Sequence, residues 1–265
     1  MLKDITLGQY FPGESPAHRF DPRLKILTMV IFIVSLFFIR TYPPYLFVAL
    51  YILTVVYTAK LPLKMVLKGL RPLRWIILIT FVINLLFIPG DTLFQWKFIT
   101  VTKEGLNMAG MMAIRLIFLV LGTSLLTYTT SPIELTDGIE ELLSPLRRVG
   151  VPAHEIAMMM TIALRFIPTL IEETDKIMKA QMARGADFES GNILNRAKNL
   201  VPLLVPLFIN SFRRADELAT AMEARCYRGG EGRTKMKILT LTHMDYIILV
   251  GHLIFFGGII LWSRL

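Results

Sequence analysis

Five runs of apolar residues dominate this sequence and limit the folds it can adopt. Of its 265 residues, 54% are hydrophobic, and the mean hydropathy is +0.56, which is too apolar for an ordinary soluble domain. Several runs are shorter than the roughly 20 residues that cross the hydrocarbon core, so basic residues at their ends must reach the headgroups. The runs are Leu24 to Ile39, Tyr45 to Ala59, Trp75 to Ile88, Gly105 to Thr130 and His243 to Trp262. The sequence therefore predicts an all-α integral membrane protein with a bundle of about five transmembrane helices.

Lysine and arginine residues indicate which side of the membrane each loop occupies. The stretch from Lys60 to Arg74 holds five basic residues and no acidic one, and four more precede or open the first run. Loops rich in lysine and arginine stay in the cytoplasm. The opposite side holds only Arg40, Lys97, Lys103 and Arg264. We therefore expect the N-terminus and residues 131–242 in the cytoplasm and the C-terminus outside, with three parts at 1–130, 131–242 and 243–265. These loops account for the net charge of +9 without a nucleic-acid partner.

Motifs for nucleotide, metal or disulfide chemistry do not occur in this chain. It has no Gly-Lys dipeptide, hence no phosphate-binding P-loop, and no His-Glu-x-x-His for zinc. Its single cysteine, Cys226, excludes an intrachain disulfide and a cysteine-based metal cluster. Arg115 lies inside the fourth run, and placing a charged side chain in the membrane costs free energy. We therefore expect it to bond a neighbouring helix through Asn84 or backbone carbonyls. The chain is thus expected to be non-catalytic and to bind no cofactor or metal.

The segment 131–242 is unusually apolar for a cytoplasmic loop and predicts three helices. They lie near 131–146, 152–184 and 192–225, and we expect Pro168, Pro202 and Pro206 to bend or break the two longer ones. The apolar parts, 156–171 and 200–212, favour long helices lying on the membrane surface. A re-entrant or spanning hairpin is the alternative, because two extra spans would leave both termini on the same sides of the membrane. Three consecutive methionines, Met158, Met159 and Met160, offer an adaptable contact surface for a partner, or pack internally.

A short pattern occurs twice in this segment, 41 residues apart. Each copy has two alanines and an arginine at i, i+3 and i+4, which places them on one helix face near a C-terminal end. The copies are Ala180, Ala183, Arg184 and Gly185, and Ala221, Ala224, Arg225 and Cys226. Gly185 suits a left-handed C-cap, whereas Cys226 does not, so we expect the second helix to run on to Gly229. Two matching arginine-tipped helix ends predict docking to two similar partners.

In these motifs the chain resembles the transmembrane T component of energy-coupling factor (ECF) vitamin transporters. The resemblance rests on the paired Ala-Arg motifs and on an N-terminal signature of Ser15, His18, Asp21, Pro22, Arg23 and Lys25. Cys226 departs from the glycine usual at the second motif.

That resemblance implies a multi-pass protein of a prokaryotic cell membrane that works as a coupling scaffold. Two ABC-type ATPase subunits, which use ATP, would receive Arg184 and Arg225. A small membrane-embedded substrate-binding S component would pack against the coupling module, with the three methionines as its contact. Two alternatives remain: a conventional ABC permease with a path near Arg115, Asn84 and Asn107, and a membrane enzyme. The enzyme would use the acidic group Glu134, Asp137, Glu140 and Glu141, which otherwise forms the exposed face of a capped helix.

Overall fold

The protein divides into two compact units in its computed structural model. The structure describes residues 10–96, 99–188, 193–230 and 239–264. Residues 10–138 and 239–264 form one unit, here called the apolar bundle, and residues 139–230 form the second, here called the arm unit. The three-part division expected from the sequence stays a prediction.

The apolar bundle is built from helices that match the predicted apolar runs. These are α2 (Pro22–Phe38), α3 (Pro43–Thr58), α5 (Arg74–Phe87), α6 (Lys103–Thr129) and α10 (His243–Trp262). Two short helices, α1 (Pro16–Arg19) and α4 (Leu63–Lys68), connect them. An antiparallel hairpin, β1 (Thr92–Trp96) and β2 (Ile99–Thr102), joins α5 to α6 and was not expected from the sequence. The all-α membrane fold is otherwise as predicted.

Side-chain caps fix where α2 and α10 begin. Asp21 accepts a hydrogen bond from the Arg23 N–H at 2.8 Å, and Pro22 occupies the first turn of α2, where its missing N–H costs nothing. Thr242 and Asp245 form a reciprocal capping box at the start of α10. The apolar runs thus become helices with defined ends.

The core of the bundle lies where α2, α3, α6 and α10 meet. Phe32 packs edge-on against Phe256 with ring centroids 5.7 Å apart, and Leu36 and Val48 are fully buried. Leu46 and Ile254, on the outer faces of their helices, are 73% and 70% exposed. Apolar outer faces around a packed interior are what a helix bundle presents to lipid.

The arm unit consists mainly of two long helices that pack against each other. They are α8 (Ala153–Ala183) and α9 (Ile193–Ala224), and they follow α7 (Pro132–Leu143) and a 3-10 turn at Ser144–Val149. Both helices continue through Pro168, Pro202 and Pro206, so these prolines do not break them, and the expected bend stays a prediction. A proline removes one intrahelical hydrogen bond, and the packing of α8 against α9 supports the helix on either side of it.

Three helices in the described part of the chain are long and apolar enough to cross a membrane by length and composition. They are α6, α8 and α10, while α3 and α5 are shorter apolar helices. Because α8 is among them, its position on or in the membrane stays open, as the sequence left it.

Candidate partner-docking site

The two long helices of the arm unit, α8 and α9, are here called the arms, and both end in the same hydrogen-bonded turn. In each turn, one N–H donates to the carbonyl three residues back and the next N–H to the carbonyl five residues back, at 2.9 to 3.0 Å. The pairs are Gly185 to Met182 and Ala186 to Gln181 in α8, and Cys226 to Glu223 and Tyr227 to Met222 in α9. This pattern is the Schellman motif. The repeated sequence therefore folds into a repeated helix end.

Cys226 adopts the conformation that the sequence assigned only to Gly185. Gly185 has φ +88°, as predicted, and Cys226 has φ +56°, also in the left-handed region. The prediction that the second helix runs on to Gly229 is wrong, because α9 ends at Ala224. The two hydrogen bonds of the turn hold the cysteine at a φ that costs a non-glycine residue roughly 1–2 kcal/mol.

The predicted docking residues are all exposed at the arm tips. All eight are exposed to solvent: Ala180, Ala183, Arg184, Gly185, Ala221, Ala224, Arg225 and Cys226. Within the described residues, neither the Arg184 nor the Arg225 guanidinium has a hydrogen-bond or ion-pair partner. Small alanines beside an unpaired guanidinium leave room for a partner backbone and present five donors to its acceptors.

One ionic contact between the arms was missed by sequence reasoning. Arg214 of α9 lies 3.1 Å from Glu173 of α8, measured from Nη2 to Oε2, and the Asn210 amide donates to the other carboxylate oxygen at 2.5 Å. The available signal was the 41-residue offset itself, since Glu173 and Arg214 occupy equivalent positions of the two copies.

The methionine cluster is mostly exposed on α8. Met159 is 59% and Met160 36% exposed, whereas Met158 is half-buried. On α9, a continuous stripe of apolar side chains is also exposed, between 41% and 68% for each member. The stripe consists of Leu200, Val201, Leu204, Val205, Phe208, Ile209 and Phe212. The arm unit therefore presents large apolar surfaces that the rest of the described chain does not cover.

The N-terminal signature residues form a buried network in the apolar bundle. The Ser15 hydroxyl and the His18 Nδ1 are 2.7 Å apart, and His18 Nε2–H donates to the Phe11 carbonyl at 2.9 Å. The Lys25 ammonium donates to the carbonyls of His18 and Thr129 at 3.0 and 2.9 Å. These residues therefore fix the N-terminal segment against α2 and α6.

The remaining signature residues hold another part of the chain. Asp21 pairs with Arg23 at 3.2 Å, and the Arg23 guanidinium donates to the Leu239 carbonyl at 2.7 Å. That contact ties the start of α2 to the segment that leads into α10. A polar cavity of about 520 Å³ lies beside these groups and is lined partly by Glu134, Asp137 and Asp245.

Residues considered for the alternative functions have structural partners. Arg115 donates to the Ile39 carbonyl at 2.9 Å, as expected of a backbone acceptor, and it does not bond Asn84, whose amide donates to the Thr80 carbonyl of its own helix. In the acidic group, the Glu134 N–H bonds the Ser131 hydroxyl. Glu140 lies 2.9 Å from His154 Nδ1, while Asp137 and Glu141 also make contacts.

Comparison with known proteins finds one family and many full-length relatives. The family model CbiQ, described as cobalt transport protein, matches residues 13–236. A protein of Clostridium kluyveri named energy-coupling factor transporter transmembrane protein EcfT is 61% identical over 249 residues, which are 93% of this chain and 92% of the relative. Proteins of the same name are 55% identical in Ruminiclostridium cellulolyticum, over 98% of both chains, and 53% identical in Heliobacterium modesticaldum, over 100% of this chain and 99% of the relative.

Proposed function

This chain belongs to the CbiQ family and is the transmembrane component of an energy-coupling factor transporter, and we propose that it couples ATP hydrolysis by two ATPase subunits to movement of a substrate-binding S component. ATP would be bound by those subunits and not by this chain, which acts as a non-catalytic lever. The imported substrate would be a vitamin or another micronutrient.

The repeated helix end is the observation that carries this proposal. Two arms end in the same Schellman turn, and each presents an exposed arginine, without a partner among the described residues, one residue before a left-handed residue. Two equivalent surfaces suit two equivalent partners. A guanidinium that enters a groove on each ATPase would make bidentate, charge-assisted hydrogen bonds to carboxylates or carbonyls there.

The S component would cover the apolar surface of the arm unit. Met159 and Met160, with the exposed stripe of α9, offer flexible apolar contacts of the kind that adapt to a partner surface. The apolar bundle would remain in the cell membrane, with the N-terminus and the arm unit on the cytoplasmic side and the C-terminus outside. ATP-driven approach of the two ATPases would then displace the arm tips and rock or release the S component.

Charge reversal at the arm tips tests the docking role. Arg184→Glu and Arg225→Glu each place a carboxylate where acceptors of the partner are expected, so repulsion replaces a charge-assisted contact. We expect either variant to retain fewer ATPase subunits after purification and to lose at least tenfold of ATP-driven uptake in proteoliposomes.

Met182→Glu provides the matched control on α8. Met182 is exposed and lies about 160° around the helix from both Arg184 and Ala180, at 100° per residue, so a carboxylate introduced there faces away from the docking surface. It should leave ATPase retention and uptake close to wild type. If both arginine variants assembled and transported normally, the scaffold proposal would be wrong. ATP-driven substrate transport by this chain and the ATPases without an S component would instead favour the permease.

A further inference from the structure

The contact between Glu173 and Arg214 lies at the same distance along each arm from its arginine tip. Glu173 precedes Arg184 by eleven residues, and Arg214 precedes Arg225 by eleven residues. Eleven residues are about three helical turns, or roughly 16 Å of rise, and return the side chain to within about 20° of the same face. The ion pair therefore joins two points that are equally far from the two arginine tips.

The contact is more protected than an ordinary surface ion pair. The Glu173 side chain is only 15% exposed and that of Arg214 is 37% exposed, whereas the Lys179–Asp175 pair within α8 is 67% and 37% exposed. Both carboxylate oxygens of Glu173 face α9, one towards Asn210 and the other towards Arg214. A shielded charge pair is screened less by salt than an exposed one. The directional contact is the hydrogen bond from Asn210, since the Glu173 oxygen that faces Arg214 accepts no hydrogen bond from the described residues.

An open crevice lies alongside this contact. It has a volume of about 570 Å³ between α8 and α9, and it is lined by Phe166, Leu218 and five polar residues, which include Arg213 and Glu217 as well as the three of the contact. Because the helices are not packed tightly throughout, side-chain contacts at discrete points have a large share in fixing the angle between them.

We propose that Glu173, Arg214 and Asn210 form the pivot of the two arms. They are positioning residues: they touch neither ATPase nor substrate, and they set the angle and separation at which Arg184 and Arg225 are presented. This inference rests on the proposed coupling function, because the angle matters only if both tips engage partners that move. Because the two tips are equally far from this contact, the same rotation of either arm about it displaces either tip by the same distance.

Neutral variants test the pivot in the complete transporter. Glu173→Gln keeps an oxygen for Asn210 but removes the charge, and Arg214→Gln removes the guanidinium. The readouts are ATPase retention, substrate imported per ATP hydrolysed, and the distance between spin labels at equivalent exposed positions, Lys179→Cys and Thr220→Cys, in a Cys226→Ser background. We expect both variants to broaden the distance distribution and to lower import per ATP at least threefold, while the ATPases are retained.

A charge exchange and a neighbouring control separate positioning from general damage. Combining Glu173→Arg with Arg214→Glu should restore a narrow distance distribution and most of the import per ATP, more than either change alone. Glu172→Gln, at the exposed neighbour of Glu173 on α8 and outside the crevice lining, should alter neither readout. If a neutral variant does not assemble, recovery by the charge exchange still supports the pivot, and no recovery contradicts it.

The result that overturns the pivot differs from the one that overturns the proposed function. Neutral variants with unchanged distances and unchanged import per ATP would eliminate the pivot, while loss of uptake in Arg184→Glu would leave the scaffold intact. Normal uptake by both Arg184→Glu and Arg225→Glu would eliminate the scaffold, and the pivot with it.

Discussion

At the scale of single residues, the two arm tips show how one backbone conformation accommodates different side chains. Gly185 and Cys226 have φ values of +88° and +56° in equivalent turns. Glycine adopts this conformation freely, whereas cysteine is strained there by its Cβ. Among the described residues, no neighbouring atom lies within 4 Å of a Cβ built on Gly185, so the strain of a substitution there comes from the backbone conformation.

A pair of reciprocal substitutions measures that strain. Cys226→Gly should raise the stability of the purified protein by up to about 1 kcal/mol, because it removes the left-handed penalty, although glycine also adds entropy to the unfolded chain. Gly185→Ala should lower it by roughly 1 kcal/mol for the converse reason. Thermal unfolding in detergent provides the measurement. A lower melting temperature for Cys226→Gly, with unchanged Gly185→Ala, would contradict this account.

At the scale of elements, the bundle depends on a close approach of α2 to α6. Gly122 of α6 is buried, and a Cβ at this position would overlap the Phe32 ring of α2. The same ring also packs against Phe256 of α10, with the centroids 5.7 Å apart. Any shift of Phe32 is therefore passed on to a third helix.

Gly122→Ala should consequently destabilise the bundle by about 1–3 kcal/mol, the usual cost of an added group in a packed core. Gly258→Ala is the matched control in α10, because nothing lies within 4 Å of its Cβ and alanine is the better helix former. Adding Phe32→Leu to Gly122→Ala should recover part of the loss. Thermal unfolding in nanodiscs distinguishes these outcomes, and equal melting temperatures for the two alanine variants would refute the packing argument.

At the scale of the whole molecule, the charge distribution predicts the orientation in the membrane. The basic stretch from Lys60 to Arg74 follows α3, whereas the loop before α3 carries only Arg40. A helix with a loop rich in lysine and arginine at one end and a loop poor in them at the other is oriented with the basic loop in the cytoplasm. The proposed coupling requires the same orientation, because ATP is available only in the cytoplasm.

Single cysteines in a Cys226→Ser background test this orientation. Thr41 and Lys64 are both exposed, and each lies in a connection at one end of α3. We expect Thr41→Cys to react with a membrane-impermeant thiol reagent in sealed cells, and Lys64→Cys to react only after the cells are opened. The reverse labelling pattern would invert the topology.

The sequence alone determined the features that depend on local patterns. Hydropathy located the five bundle helices to within a few residues, since burial in lipid selects for composition whatever the detailed packing. The 41-residue repeat located both arm tips, and glycine predicted the left-handed cap at Gly185. The N-terminal signature pointed to the family, but not to the network of buried hydrogen bonds in which His18 and Lys25 take part.

Tertiary structure decided what depends on residues far apart in the chain. Cys226 takes a conformation against its own preference because the turn closes two hydrogen bonds there. Arg115 bonds the Ile39 carbonyl and not Asn84, and Glu173 meets Arg214, because helix packing selects the neighbours of each side chain. Local sequence sets the tendency of a segment to be helical, but the partner of a buried charge is settled only when the helices assemble.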